Sequence, residues 1–99
     1  MKRTATILLA LCATTASAAD AIKPGARLAS TCAGCHGTNG ATQGTSLPPL
    51  AGQPKDDLLT KLKNFKTGAA QSTIMTQIAK GYTDEQLETL AAYFSNQKK

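Results

Sequence analysis

Two thiols and an imidazole stand within five residues, Cys32-Ala33-Gly34-Cys35-His36. A Cys-x-x-Cys pair followed at once by His is the attachment signature of a c-type haem. The spacing has a chemical reason. The two sulfurs add to the two vinyl groups of the haem and the backbone between them spans the ring edge. His36 is then left under the iron, where one imidazole nitrogen becomes an axial ligand. Three other chemistries use the same residue types. A redox dithiol belongs beside a strand–helix–strand unit, and no stretch of this chain reads convincingly as a strand. A structural zinc site takes four ligands, usually Cys or His. His36 is the only His, and once Cys12 is removed with the segment that carries it, only three such ligands remain. A disulfide is the default for an exported cysteine pair, but between Cys32 and Cys35 it closes a very short loop and leaves the adjacent His unexplained.

The 99 residues make one domain at most. Their start reads as a secretory leader: Lys2 and Arg3 form the positive region, Ala5 to Ala13 the apolar core, and Ala16-Ser17-Ala18 the small-x-small cleavage signal. The apolar core is too short for a membrane span of about 20 residues. Residues 1–18 are therefore expected to be removed, leaving a domain over 19–99 with no integral membrane segment and a periplasmic location. Cys12 leaves with the leader. A lipid anchor on Cys12 is the alternative, but Leu11 precedes it where a small residue is wanted. The mature chain keeps nine basic side chains against six acidic ones, a side-chain charge of +3. That is too weak and too scattered for nucleic acid, though it suits the docking of a partner protein.

The remaining elements must wrap a flat apolar cofactor and bring a second ligand to it. Pro24-Gly25 opens a first helix through Ala26, Leu28 and Ala29 into the cysteine motif, Pro being tolerated where an N–H has no partner. From Gly37 to Pro54 periodicity is lost. Loops of that length tend to be functional, and this one is expected to cover the proximal edge of the haem. The Pro48 carbonyl is placed to accept a hydrogen bond from the second nitrogen of His36; a rigid Pro48-Pro49 turn is the alternative. Asp56 or Asp57 is expected to cap a middle helix through about Lys66, with Gly68 past its end. Leu58, Leu59, Leu62 and Phe65 form its buried stripe. Lys61, Lys63 and Lys66 mostly face water, and one paired with a haem propionate is the sharper reading. Residues 69–80 form a polar loop and a short helical turn. It carries Met75, the only Met beyond the leader. A lone Met is ordinarily a core gap-filler. Here it is read as the distal iron ligand, because His36 is already used and a thioether raises the reduction potential as an electron carrier requires. Thr83 and Gln86 match a capping box that opens the last helix, and Leu87, Leu90, Ala91 and Phe94 follow as one apolar stripe. This helix is expected to cross the first, with Gly25 and Ala29 permitting close contact.

Taken together, these pieces resemble a class I cytochrome c over the whole mature length. The residues that carry the resemblance are Cys32 to Gly37, the loop Leu47-Pro48-Pro49-Leu50-Ala51-Gly52-Gln53, the segment Ser72-Thr73-Ile74-Met75 and the terminal helix from Tyr82 to Phe94. The motif and the Leu-Ala-Gly-Gln loop look like the short bacterial monohaem branch. Within it, residues 65–69, 72–75 and 79–82 are similar to the haem subunits of sulfide-oxidising flavocytochromes c. The resemblance implies an all-α fold of about four short helices around one covalently bound haem c. It implies thioether bonds at Cys32 and Cys35, iron ligation by His36 and Met75, and a Pro48 carbonyl bonded to His36. With both axial positions filled, no substrate binds at the iron, so one-electron transfer rather than catalysis is the expected function. The expected partners are redox proteins, a flavoprotein subunit among them. A free electron shuttle and a haem sensor or enzyme with an open iron site are the alternatives.

Overall fold

Helix α4, Asp84–Ser95, is the element on which the rest is assembled in the computed structural model, which describes residues 22–99. Before it come α1 (Ala26–His36), a single 3-10 turn (Thr38–Gly40), α2 (Lys55–Thr67) and α3 (Met75–Lys80). No strand occurs among the described residues, and no described helix is long and apolar enough to cross a membrane. The leader expected over 1–18 and its cleavage point lie outside the described residues.

The sequence of α4 explains its central place. The Thr83 hydroxyl accepts from the Gln86 N–H at 3.2 Å, while the Thr83 N–H donates to Gln86 Oε1 at 2.9 Å. This is the capping box expected from the sequence, and it satisfies orphan donors at the helix start. Leu87, Leu90, Ala91 and Phe94 are all buried and form the core with Ala29 of α1 and Leu58 of α2. Both α1 and α2 pack on α4, and α3 packs on α2.

The crossing of α1 over α4 depends on Gly25. Its φ of +86° lies in the left-handed region, and a Cβ there would sit 3.0 Å from Tyr93 Cβ and 3.1 Å from the Thr89 carbonyl. Only glycine meets both demands. Pro24 falls two residues ahead of α1, so it turns the chain into the helix rather than forming its first residue.

Two expectations for α2 are corrected. Neither Asp56 nor Asp57 caps the helix. Pro54 is the flanking residue, and its carbonyl accepts the first helical bond, from the Leu58 N–H at 3.1 Å. Pro54 holds the extended backbone a cap position needs (φ −56°, ψ 137°), so both aspartates are drawn into the first turn, where they complement the positive end of the helix dipole. Of the four stripe residues only Leu58 is buried; Leu59, Leu62 and Phe65 are half-buried. Protein atoms alone do not cover that face. Lys66 is engaged within the chain: its Nζ lies 2.9 Å from Asp84 Oδ1, tying the end of α2 to the start of α4. The sharper reading for the lysines accordingly loses Lys66 as an uncommitted partner.

Replacement of Gly25 by Ala is expected to cost about 1–3 kcal/mol through backbone strain and overpacking. Thermal melting of the haem-loaded protein should show a midpoint lower by on the order of 10 °C. The hydrogen bond and charge of Lys66, with a smaller contribution from Lys63, hold the Asp84 carboxyl below the usual carboxylate range. A depressed folded value means that this contribution is complete above the unfolded pKa of about 3.9 and is lost as pH falls through the folded value. Asp84→Asn should therefore lower stability slightly at neutral pH and flatten the acid limb of the unfolding curve below pH ~4. Melts across that limb that superimpose on those of the parent chain would refute the tie.

Candidate haem site

Helix α1 carries three of the chemically active side chains on its last two turns. Cys32 is half-buried, Cys35 is exposed, and both are free thiols. Three residues apart on a helix, they are neighbours on one face. Burial pushes the Cys32 thiol up, a hydrogen bond involving Thr31 opposes this, and the neighbouring Cys35 adds to it. A redox dithiol needs the opposite shift, toward thiolate. Among the described residues no three His, Cys, Asp or Glu side chains converge as they would around a metal ion bound by protein alone.

His36 is the last residue of α1 and is only 8% exposed. Its Nδ1 lies 3.1 Å from the Pro48 carbonyl oxygen. A carbonyl can only accept, so Nδ1 carries the proton in this contact, and in the neutral ring it is Nε2 that has the lone pair. The loop that presents Pro48 is held from several directions. The Gly40 carbonyl accepts from the Leu50 and Ala51 N–H groups at 2.9 and 3.2 Å, and the Gly52 N–H donates to the Phe94 carbonyl at 2.9 Å. Gln53 bridges the loop to α2: its Nε2 donates to the Pro49 carbonyl while its Oε1 accepts from Lys61 Nζ at 2.7 Å. The loop is thus clamped to α2 and α4, and the carbonyl facing His36 is fixed with it.

Met75 is the first residue of α3, half-buried and outside the core cluster. The start of α3 is stabilised by Ser72, whose hydroxyl accepts from the Thr76 N–H at 2.9 Å. Just past α3, the Tyr82 and Thr31 hydroxyl oxygens lie 2.5 Å apart. That contact ties the segment carrying Met75 to the residue next to Cys32.

Several residues of this site have contacts that the sequence did not assign to them. Thr42 donates to two carbonyls, those of His36 and Pro48. Gln53 serves as the bridge described above, and Tyr82 pairs with Thr31. Tyr93 donates to Asn39 Oδ1 at 2.7 Å, while Asn39 holds a left-handed backbone (φ 56°) that Asn tolerates better than most residues. Contacts between residues more than 50 positions apart have no spacing that a single sequence displays.

The residues fit a covalently held haem. Two unpaired thiols adjoin an imidazole with one nitrogen committed and the other free. Apolar side chains are left uncovered in quantity: Ile74 is 58% and Leu47 39% exposed, and Leu59, Leu62, Phe65, Met75 and Ile78 are half-buried. A large apolar group shared by these side chains would supply the burial that the protein atoms lack.

Comparison with known proteins agrees. The family model described as "Cytochrome c" matches residues 22–98. The chain is 42% identical over 93 residues to the cytochrome subunit of sulfide dehydrogenase from Chlorobaculum tepidum, a match spanning 88% of this chain and 84% of that protein. It is 34% identical to cytochrome c-553 of Nitratidesulfovibrio vulgaris, over 90% of this chain and 93% of that protein. A third relative, cytochrome c4 of Pseudomonas aeruginosa, is 35% identical over 84% of this chain, which spans 41% of the c4 length. With a wholly helical described fold and a Cys-x-x-Cys-His segment at the end of its first helix, the chain belongs to the cytochrome c family: a class I cytochrome c domain that carries electrons on covalently bound haem c and is not itself a catalyst.

Proposed function

We propose that the chain is exported to the periplasm and there passes single electrons through a haem ligated by His36 and Met75, receiving them as the cytochrome subunit of a sulfide-oxidising flavoprotein. The haem supplies a one-electron couple, and the chain determines how it is held. Cys32 and Cys35 anchor the ring edge through thioether bonds. His36 offers Nε2 to the iron, and its Nδ1–H, bonded to the Pro48 carbonyl at 3.1 Å, fixes the ring orientation and raises its basicity. That hydrogen bond carries the ligand reading, because it leaves one nitrogen and one tautomer available. Met75 would supply the second iron ligand. A His/Met pair would favour the reduced iron and raise the potential, and would leave no iron position for a substrate.

The partner reading rests on the 42% identity to the cytochrome subunit of sulfide dehydrogenase, which extends over 88% of the chain. The Lys2-Arg3 pair, the apolar run Ala5 to Ala13 and Ala16-Ser17-Ala18 in this sequence support export, and haem attachment at two thiols suits the compartment reached. A free shuttle between respiratory redox proteins is the second reading, favoured by the match to cytochrome c-553, which spans 93% of that protein.

Met75→Ala should abolish the weak long-wavelength sulfur-to-iron band of the oxidised protein. It should also strengthen cyanide or carbon monoxide binding by at least about tenfold. Unchanged ligand binding would remove Met75 from the iron and restore the reading of an open-site sensor or enzyme. Size-exclusion chromatography of protein purified from its native cells, with absorbance spectra taken across the run, separates the two partner readings. Co-elution of haem with flavin in one larger species is expected. Haem alone, at the mass of a single short chain, identifies a free shuttle.

A further inference from the structure

The Pro48 carbonyl that faces His36 has a second donor. Thr42 Oγ1 lies 3.2 Å from that oxygen and 3.1 Å from the backbone carbonyl of His36 itself. Thr42 is half-buried beside the nearly buried imidazole. Its placement follows from the turn after α1. Gly37 has φ +81°, and a Cβ there would run into the Ala41 carbonyl and come within 3.3 Å of Thr42 Cα. The chain thus doubles back directly onto the residue that follows His36. A hydroxyl has one proton and carbonyls only accept, so Thr42 shares that proton between the two oxygens. The Pro48 oxygen has lone pairs for both Thr42 and His36 Nδ1. Two donors on one oxygen compete, however, because each draws electron density that the other would use.

We propose that Thr42 is a positioning residue of the haem site, one that weakens the Pro48 carbonyl as an acceptor for His36 and so limits the electron donation of the imidazole to iron. The proposal rests on His36 being the iron ligand. A stronger Nδ1–H···O=C bond gives the ring more imidazolate character, and a more basic ligand favours oxidised iron. Thr42 therefore holds the reduction potential higher than the His36–Pro48 pair alone would set it. The bond to the His36 carbonyl keeps the hydroxyl over the end of α1, so the polarising proton is fixed in place.

The test compares Thr42→Val, which keeps the side-chain shape and removes the hydroxyl, with Thr42→Ser, which retains it, both as holoprotein. In Thr42→Val the ratio of reduced to oxidised protein at a fixed solution potential should fall by about threefold, the scale of a modest hydrogen-bond change. The low-spin optical spectrum should persist, and the His36 Nδ1–H, followed by nitrogen-edited NMR, should exchange more slowly. Thr42→Ser should restore both readouts. An unchanged ratio, a rise, or a serine variant that behaves like valine overturns the proposal; a rise would mean that the hydroxyl only braces the loop. If the valine variant yields no holoprotein, the wild-type Thr42 hydroxyl proton decides: slow exchange is expected, and exchange as fast as that of a free threonine overturns the proposal. His36→Ala keeps the two readings distinguishable. Normal low-spin holoprotein from it refutes His36 ligation, whereas a requirement for His36 together with a Thr42→Val potential equal to wild type refutes only the role of Thr42.

Discussion

A prolyl carbonyl has lone pairs to offer and no proton, and the site is organised by that asymmetry. Facing Pro48 at 3.1 Å, His36 carries its proton on Nδ1 and leaves Nε2 basic. The rest of the chain makes this arrangement permanent. Helix α1 ends on His36, so the backbone that carries the ring cannot move without fraying a helix whose N-terminal end is pressed onto α4. The loop carrying Pro48 is bonded to Gly40 on one side and to Phe94 of α4 on the other. Both partners of the bond are thus referred to the same helix. The core serves less as a store of stability than as a common frame for the imidazole and the carbonyl.

That core is small for the chain. Six buried side chains form it, Leu87 and Leu90 among them, while the outer face of α2 and the start of α3 keep apolar atoms in contact with solvent. A chain of this length has little interior of its own, and in a cytochrome c the covalent haem makes up the difference. Covalent attachment of the haem therefore has a structural as well as a chemical consequence. A group so attached cannot dissociate from the chain.

The local rules were legible in the sequence wherever a few consecutive residues decide the outcome. The Thr83–Gln86 capping box, the α4 stripe and the clustering of Cys32, Cys35 and His36 are settled within one or two turns of chain. So is the stop of α2 at Gly68, whose N–H donates to the Phe65 carbonyl. The start of α2 was misread because aspartate is the commoner cap, while Pro54 already holds the required extended backbone. The stripe on α2 was over-read because periodicity identifies which residues share a face but not what covers it. Lys66 pairing with Asp84, Tyr82 with Thr31 and Tyr93 with Asn39 depends on how helices cross. Such pairs become visible only once the crossing is known. Thr42 was hidden for another reason: a hydroxyl in a glycine-rich loop looks like any other turn residue until two carbonyls are found within its reach.

The loop also contains a stretch that holds nothing in place. Thr42 is anchored at one end and Pro48 at the other, but every residue from 43 to 47 is exposed. A Cβ built on Gly44 meets no atom within 4 Å. Changing the length of such a segment alters only its closure entropy, which grows slowly with residue number. The chain can therefore gain or lose residues between Thr42 and Pro48 without disturbing the imidazole. The surroundings of His36 are built from two fixed ends, and their separation along the chain is free to drift while their separation in space is not.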